Sequence, residues 1–252
     1  MTVIPWLEDT NGLFPSPRSF TQTDPDLPDG LLALSTSMDA NLLLQAYRQG
    51  IFPWYSEDQP VMWWCTAPRM VLDTQALKLS HSLLKKLKQV LNNPAWEVRV
   101  DSAFKNVITA CAQSQRKNQD GTWITDDIIE HYLTLHQWGI AHSVETWLDG
   151  ELVGGLYGIN LGKMMYGESM FKDVTDASKI ALAALCAWCN QVGIRYIDCQ
   201  QETSHLASLG AKAIPKKDFL DWIESQIDLP APTWNWNKSV LCAYNKNILR
   251  SV

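Results

Sequence analysis

The sequence has no excess of positive charge. Among its 252 residues, 21 Lys and Arg stand against 27 Asp and Glu, and the formal net charge is −6. Proteins that bind nucleic acids through a wholly basic surface are basic overall, so the chain does not belong to that class. Any contact with a polyanion needs a local basic patch, because the field at a surface depends on how the charges are distributed.

Long apolar runs are also missing. No stretch reaches the roughly 18 apolar residues that a membrane-spanning helix needs. The start of the chain, MTVIPWLEDTNGLFP, lacks both the basic region and the apolar run of a signal peptide. We therefore expect a cytoplasmic protein that has no membrane partner.

Paired metal ligands are scarce as well. Cys186 and Cys189 form a C-x-x-C pair, but they lie inside the helical pattern ASKIALAALCAWCNQVG. No second pair or nearby H-x-x-x-H completes a zinc site. We expect the six cysteines to be reduced and mostly buried, and we expect no bound metal.

Tryptophan, in contrast, is abundant, with 12 in the chain. The segment GIFPWYSEDQPVMWWCTAPR (50–69) holds three tryptophans and three prolines in twenty positions. Prolines interrupt regular structure, and exposed aromatic rings are unfavourable in water. We therefore predict a loop without secondary structure that packs on a core or forms the wall of a binding site.

Helices are predicted where apolar residues recur at helical spacing between a capping residue and a glycine. In MDANLLLQAYRQG, Asp39 is suited to cap the helix and Gly50 to end it. The clearest predicted helices cover residues 38–50, 80–93, 125–139 and 176–193.

From about residue 140 apolar and polar residues alternate, and DG at 149–150 marks a turn, so a three-stranded antiparallel meander is predicted. A long helix, a strand at 194–200, a short helix and another strand follow. This order resembles the core of the Gcn5-related N-acetyltransferases (GNAT), in which the strand after the long helix diverges and leaves a gap for the reacting carbonyl. We predict an α+β protein: a GNAT-like mixed sheet with flanking helices over residues 76–252, and a smaller N-terminal α/β domain over residues 1–75.

The usual acyl-CoA phosphate loop should lie near residues 173–178. Those residues are DVTDAS, with no glycine and two aspartates. Without glycine the backbone amides cannot approach a pyrophosphate closely, and carboxylates repel it. We expect a donor other than acyl-CoA.

An ordered series of motifs between residues 30 and 219 is more specific. It comprises GIFPWYS, MWW, APR, GTWIT, GIAHSVETW, ELVGGLYG, GESMF, ASKIAL, IDCQ and ASLGA. Together they resemble the bacterial leucyl/phenylalanyl-tRNA–protein transferases. The resemblance implies transfer of Leu or Phe from an aminoacyl-tRNA to the α-amino group of a protein that begins with Arg or Lys. It also implies that the product enters the N-degron degradation route and that no metal or cofactor takes part, and we expect a monomer.

The resemblance gives the aromatic segment a purpose. Single-stranded bases are held by stacking on aromatic faces, and Trp54 and Trp123 match the family's aromatic residues near the 3′-terminal adenosine of the tRNA. For Trp63 and Trp64 we favour packing in the core.

Three polar residues are the expected catalytic centre. Asp198 and Gln200 in IDCQ lie at i and i+2 of a predicted strand, so their side chains are expected to leave the same face. The resemblance places the reaction at these two positions. It assigns Glu168 in GESMF to the acceptor's N-terminus, and the alternative for Glu168 is a structural ion pair.

The donor's apolar side chain needs a pocket beside this centre. We expect side chains on the meander and the long helix to form it. They are Leu156, Met165, Met170, Leu182 and Leu185.

The family also has a basic patch that follows the tRNA acceptor stem. It matches the predicted helix at 80–93 and the residue before it. The matching residues are Lys78, Lys85, Lys86 and Lys88, and the alternative is an ordinary solvated helix face.

Two other functions stay open. An acyl-CoA-dependent N-acetyltransferase would share the fold, although DVTDAS argues against it. A non-catalytic reader of protein N-termini or RNA ends would bind the same partners without transferring anything. The intact IDCQ and GESMF motifs favour catalysis.

Overall fold

The computed structural model describes residues 4–20, 27–114 and 122–249, without the side chains of residue 243 and residues 245–249. The helices are α1 (Ala40–Arg48), α2 (His81–Asn92), α3 (Phe104–Gln113), α4 (Asp126–Gln137), α5 (Ala177–Gln191), α6 (Ser204–Ser208), α7 (Lys216–Gln226) and α8 (Lys238–Leu249). The strands are β1 (Leu31–Ser35), β2 (Phe52–Pro53), β3 (Val61–Trp64), β4 (Arg69–Asp73), β5 (Trp96–Val100), β6 (Ala141–Leu148), β7 (Glu151–Leu161), β8 (Met164–Lys172), β9 (Tyr196–Asp198) and β10 (Lys212–Ile214).

The strands form two sheets. A three-stranded sheet has the order β1-β3-β2, and a seven-stranded sheet has the order β10-β4-β9-β8-β7-β6-β5. In the large sheet β8 and β9 are parallel and all other neighbours are antiparallel. The predicted α+β architecture, with a mixed sheet and flanking helices, is confirmed.

Local sequence explains why the helices start where they do. The side chains of Asp39, Ser80 and Thr125 accept hydrogen bonds from backbone amides in the first turns of α1, α2 and α4. These bonds satisfy donors that a helix start leaves free. Gly50 and Gly139 follow α1 and α4 with φ of 73° and 70°, a conformation that glycine adopts at little cost.

The aromatic segment differs from the prediction of a loop without secondary structure. Phe52 and Pro53 pair with β3, and the amide of Trp54 donates to the Met62 carbonyl at 3.0 Å. Pro53 is tolerated because β2 is an edge strand of the small sheet. The prolines therefore end short strands instead of preventing them.

Strand β4 precedes the predicted boundary at residue 75, yet it belongs to the large sheet. It pairs with β9 and β10 in the large sheet, while the small sheet ends with β3. Since hydrogen-bonded strands of one sheet form one unit, we place the boundary before Arg69.

Helices cover both faces of the large sheet. Helix α5 packs on β6 and β7, while α3 packs on β7 and β8. Neighbouring residues of β7 show the two sides: Leu156 packs with α5, and Tyr157 packs with α3. Burial of this apolar surface stabilises the fold by about 25 cal/mol per Å². In the part of the chain that the structure describes, no helix has the length and apolar character to cross a membrane.

Candidate active site

Strands β8 and β9 diverge after a short contact. Their described pairing covers only Met165 with Ile197 and Tyr166 with Asp198. Glu168 and Gln200 lie just beyond this pairing and therefore face the gap that the sequence predicts here.

Glu168 occupies a bulge in β8. Tyr157 of β7 pairs with Ser169, but the next residue, Gly158, pairs with Gly167, so Glu168 is an extra residue. A bulge redirects a side chain that regular alternation would fix to one face of a sheet. Here the extra residue carries the carboxyl group.

The Glu168 carboxyl group is surrounded by uncharged hydrogen-bond donors. It accepts from the Tyr132 hydroxyl and from Nε2 of Gln200, both at 3.2 Å, and the Tyr47 hydroxyl is bonded to that of Tyr132. Burial raises the pKa of Glu168 to about 7, and the negative charge of Asp198 adds to the rise, while the hydrogen bonds of Tyr47 and Tyr132 oppose it. A carboxyl group with this pKa can take up and release a proton at neutral pH.

The alternative of a structural ion pair for Glu168 finds no support among the described residues. Every cation within ion-pair distance of a carboxylate there contacts a different acid. Glu168 is therefore free to receive a cation from a ligand.

Asp198 has a different environment from the one predicted. Its side chain is 0% exposed, and its two oxygens accept from Nε and Nη2 of Arg69 at 2.7 and 2.6 Å. Asp198 also does not line the cleft described below. Both carboxylate oxygens are thus engaged inside the protein, so any part that Asp198 takes in the reaction is carried through its neighbours.

Gln200 does not continue β9. The strand ends at Asp198, and Gln200 has a left-handed backbone with φ of 55°. The expected i and i+2 arrangement on one strand face is therefore wrong, because the chain turns between the two residues. The turn is fixed by the backbone amide of Gln200, which donates to Oδ1 of Asp198 at 3.0 Å. It brings the Gln200 side chain to Glu168.

A cleft of about 1240 Å³ opens beside this centre. Four of the five predicted donor-pocket residues line it. They are Leu156, Met170, Leu182 and Leu185. The fifth, Met165, is fully buried and packs in the core on the α5 side, so it is not part of the wall. It lies on the correct side of the sheet but before the strands diverge.

Trp54 and Trp123 line the same cleft. Trp54 is 36% exposed and contacts the edge of Trp64 with ring centroids 5.6 Å apart. Trp63 and Trp64 are buried, at 0% and 6% exposure, and the Trp63 indole donates to Oγ of Ser35. The prediction that these two pack in the core is confirmed.

The basic residues of α2 lie outside the cleft. Lys85, Lys88 and the preceding Lys78 are exposed, and none of the predicted stem residues lines the cleft wall. Lys86 is partly buried, with its ammonium 4.8 Å from the Trp96 ring centroid and its Nζ bonded to Gln89. Since Lys86 already has contacts within the protein, the three other lysines are the better candidates for a basic patch.

Several residues of the site carry no signal in the sequence. Tyr47 and Tyr132 occupy ordinary core positions of α1 and α4, and only the fold shows that their hydroxyls meet Glu168. Lys172 and Lys179 line the cleft too, and Lys179 forms an ion pair with Asp176 at 2.9 Å. Their spacing alone does not distinguish them from other surface lysines.

The start of α5 bears on the acyl-CoA alternative. Asp176 is the N-cap residue with φ of 67°, and its side chain makes no capping bond to the helix. Asp173 lines the cleft nearby. Two carboxylates at a helix start oppose a pyrophosphate, so the geometry agrees with the prediction of another donor.

The chain is similar to known proteins over nearly its full length. Residues 71–224 match the family described as leucyl/phenylalanyl-tRNA protein transferase, and residues 37–67 match the N-terminal domain of that family. A leucyl/phenylalanyl-tRNA–protein transferase of Cupriavidus necator is 55% identical over 240 residues, 95% of each chain. That of Ralstonia pickettii is 52% identical over 95% of this chain and 96% of its own.

Solved structures superpose only loosely. A Gcn5-related N-acetyltransferase-like protein from Streptococcus suis gives a TM-score of 0.32 at 14% identity, with 72% of this chain and 67% of that chain covered. No argument about the site rests on this likeness.

Proposed function

Because the chain belongs to the leucyl/phenylalanyl-tRNA–protein transferase family, we propose that this aminoacyltransferase moves Leu or Phe from an aminoacyl-tRNA to proteins that begin with Arg or Lys. The observation that supports this most is the Glu168 carboxyl group in the cleft, with a pKa of about 7 and no ion-pair partner among the described residues. Such a group suits a positively charged N-terminus that must lose a proton before it reacts.

The donor fits the apolar part of the cleft. Leu156, Met170, Leu182 and Leu185 offer an apolar wall for a Leu or Phe side chain. A rigid apolar pocket distinguishes close isosteres by only about 1–3 kcal/mol, so the shape of the wall decides which side chains are refused. Trp54 and Trp123 offer flat faces for the terminal adenosine.

The acceptor is recognised at Glu168. Its carboxylate pairs with the α-ammonium group and then takes the proton, because an α-amino group has a pKa of about 7.7–8.0, close to that of Glu168. The amine nitrogen attacks the ester carbonyl, the new amide bond forms, and the ester bond to the terminal ribose breaks. The ribose oxygen leaves with a proton. Gln200, bonded to Glu168, holds the amine or the carbonyl in line.

The remaining parts of the proposal follow from this reaction. Proteins that gain an N-terminal Leu or Phe enter the N-degron route. The enzyme works as a monomer in the cytoplasm, where charged tRNA is made, and Lys78, Lys85 and Lys88 contact the acceptor stem.

The test is a transfer assay. Leucyl-tRNA and phenylalanyl-tRNA are each incubated with the purified protein and a peptide that begins with Arg, and the peptide mass is measured. We expect the mass to rise by one Leu or one Phe residue. Matched controls are the same peptide beginning with Asp and the donors isoleucyl-tRNA and valyl-tRNA. Equal transfer to both peptides, or binding without transfer, would contradict the proposal.

A further inference from the structure

The ion pair between Arg69 and Asp198 is buried, and removing two charges from water is energetically unfavourable. Both side chains are 0% exposed, and Nη1 of Arg69 has no hydrogen-bond partner among the described residues. Buried ion pairs often contribute no more to stability than apolar residues of similar size would. An unsatisfied donor adds a further cost. Stability alone therefore does not explain this pair.

The pair fixes the turn that presents Gln200. Arg69 holds both oxygens of Asp198, and Oδ1 of Asp198 also accepts from the Gln200 amide at 3.0 Å. The Gln200 carbonyl is held in turn by the Met70 amide and the Thr66 hydroxyl, both at 3.2 Å. These contacts maintain a left-handed backbone, which is unfavourable for a residue with a side chain.

Arg69 also contacts the aromatic wall of the cleft. Its guanidinium carbon lies 4.8 Å from the Phe52 ring centroid and 4.4 Å from that of Phe219, so the flat group lies between two rings. Phe52 itself lines the cleft, two residues before Trp54. A lysine cannot reproduce this arrangement, because an ammonium group lacks the planar fork that binds two oxygens and stacks on rings.

We propose that Arg69 is a positioning residue for aminoacyl transfer: through Asp198 it sets the Gln200 turn beside Glu168, and through Phe52 it sets the distance from that turn to the aromatic wall. The inference rests on the proposed function. Arg69 itself touches no substrate, since it does not line the cleft. Its effect is the alignment of groups that do, and a misplacement of about 1 Å can slow a reaction about 100-fold.

The test compares three variants with a matched control. Arg69→Lys keeps the charge, Arg69→Met removes it, and Arg69→Met/Asp198→Asn removes both charges while Asn can still accept from the Gln200 amide. The control is Arg195→Met. Arg195, the residue before β9, pairs with Asp73 of β4 at 2.6 Å, but its side chain is half exposed and neither residue lines the cleft.

We expect Arg69→Lys and the double variant to fold and to lose roughly 10- to 100-fold in kcat, with KM for a minimal aminoacyl-adenosine donor changed less than kcat. Arg195→Met should retain wild-type kcat. The pH profile gives an independent readout. The charged and hydrogen-bonding groups around Glu168 are Tyr47, Tyr132, Gln200, Arg69 and Asp198. Loss of the Arg69 cation should move the kcat midpoint to higher pH in Arg69→Met. The double variant should show a smaller shift, because it also loses the Asp198 charge that raises the pKa of Glu168.

Two results would overturn the inference. One is Arg69→Lys and the double variant with kcat within about twofold of wild type. The other is failure of all three variants to fold, which would restrict Arg69 to a role in stability. In both cases the wild type still transfers Leu or Phe. If the wild type transfers nothing, the proposed function is wrong instead.

Discussion

Asp198 at the end of β9 and Glu168 in the bulge of β8 lie where these neighbouring strands diverge, and their surroundings are opposite. On the buried side, Asp198 is inaccessible, with both oxygens bonded to Arg69. On the open side, Glu168 lines the cleft, and its described partners are uncharged. Burial raises the pKa of Glu168 to about 7 because no nearby cation fully offsets it. The contrast shows that the partner of a buried acid, more than its depth, decides whether the acid holds the structure or handles protons.

The largest effect should come from removing Asp198, the buried acid. Asp198→Ala leaves Arg69 buried without a counter-charge, so we expect the free energy of unfolding to fall by about 3–5 kcal/mol. Urea unfolding followed by circular dichroism measures it. Asp198→Asn, which keeps one acceptor oxygen, should lose less. An unfolding free energy equal to that of the wild type would contradict the structural role of the pair.

On the open side, the corresponding change should affect the reaction and spare the fold. Glu168→Gln keeps the size and hydrogen-bonding capacity of the side chain but cannot take a proton, so we expect kcat to fall about 100-fold. The melting temperature should stay close to that of the wild type. Transfer at a wild-type rate by this variant would remove Glu168 from proton transfer.

The two sides also differ in how they respond to pH. In the proposed reaction the deprotonated form of Glu168 accepts the proton, so wild-type kcat should rise with pH through a midpoint of about 7. Stability has the opposite sign. The folded-state pKa of Glu168 lies above its ordinary value of 4.5, so its contribution is present below about pH 4.5 and is lost as pH rises through about 7. Glu168→Gln should flatten both curves, and an unchanged kcat profile in that variant would assign the midpoint to another group.

A substitution of Trp54 tests whether the aromatic wall of the cleft contributes to donor binding. Trp54→Ala should weaken binding of an aminoacyl-adenosine analogue by about 1–3 kcal/mol, the usual contribution of one base stacked on an aromatic ring. Calorimetry measures the affinity. The control is Trp138→Ala, because Trp138 is 46% exposed and does not line the cleft. Unchanged affinity together with a lower melting temperature would make Trp54 a structural residue.

The smallest effect concerns the exposed lysines of α2, which lie away from both Asp198 and Glu168. Lys85→Ala/Lys88→Ala should weaken binding of full-length tRNA and flatten the slope of log affinity against log salt by roughly one to two units. Binding of the analogue, which has no stem, should not change. If wild type and variant have equal slopes, the basic surface lies elsewhere, for example around Lys212, Lys216 and Lys217.

The sequence predicts well what is decided locally. The caps of α1, α2 and α4 and the DG turn between β6 and β7 depend on residues within a few positions of each other. The partners of β4 do not, because Val71 pairs with Asp198 far along the chain. The turn at Gln200 cannot be predicted for the same reason. The residues that help to hold it, Thr66, Arg69 and Met70, lie far earlier in the chain, and the pattern of IDCQ predicts a continuing strand.

The contacts of Arg69 also join segments that the ribosome synthesises at different times. It lies between Phe52, which is made early, and Phe219 of α7, and its charge partner Asp198 is separated from it by 129 positions. Contacts between residues so far apart form slowly, because a long loop must close before any of them is made. On the ribosome, the first two-thirds of the chain can emerge and fold locally while Asp198 and Phe219, two of the contacts of Arg69, have not yet been synthesised. We expect that an emerging chain cannot act on the charged tRNA around it until α7 has left the exit tunnel.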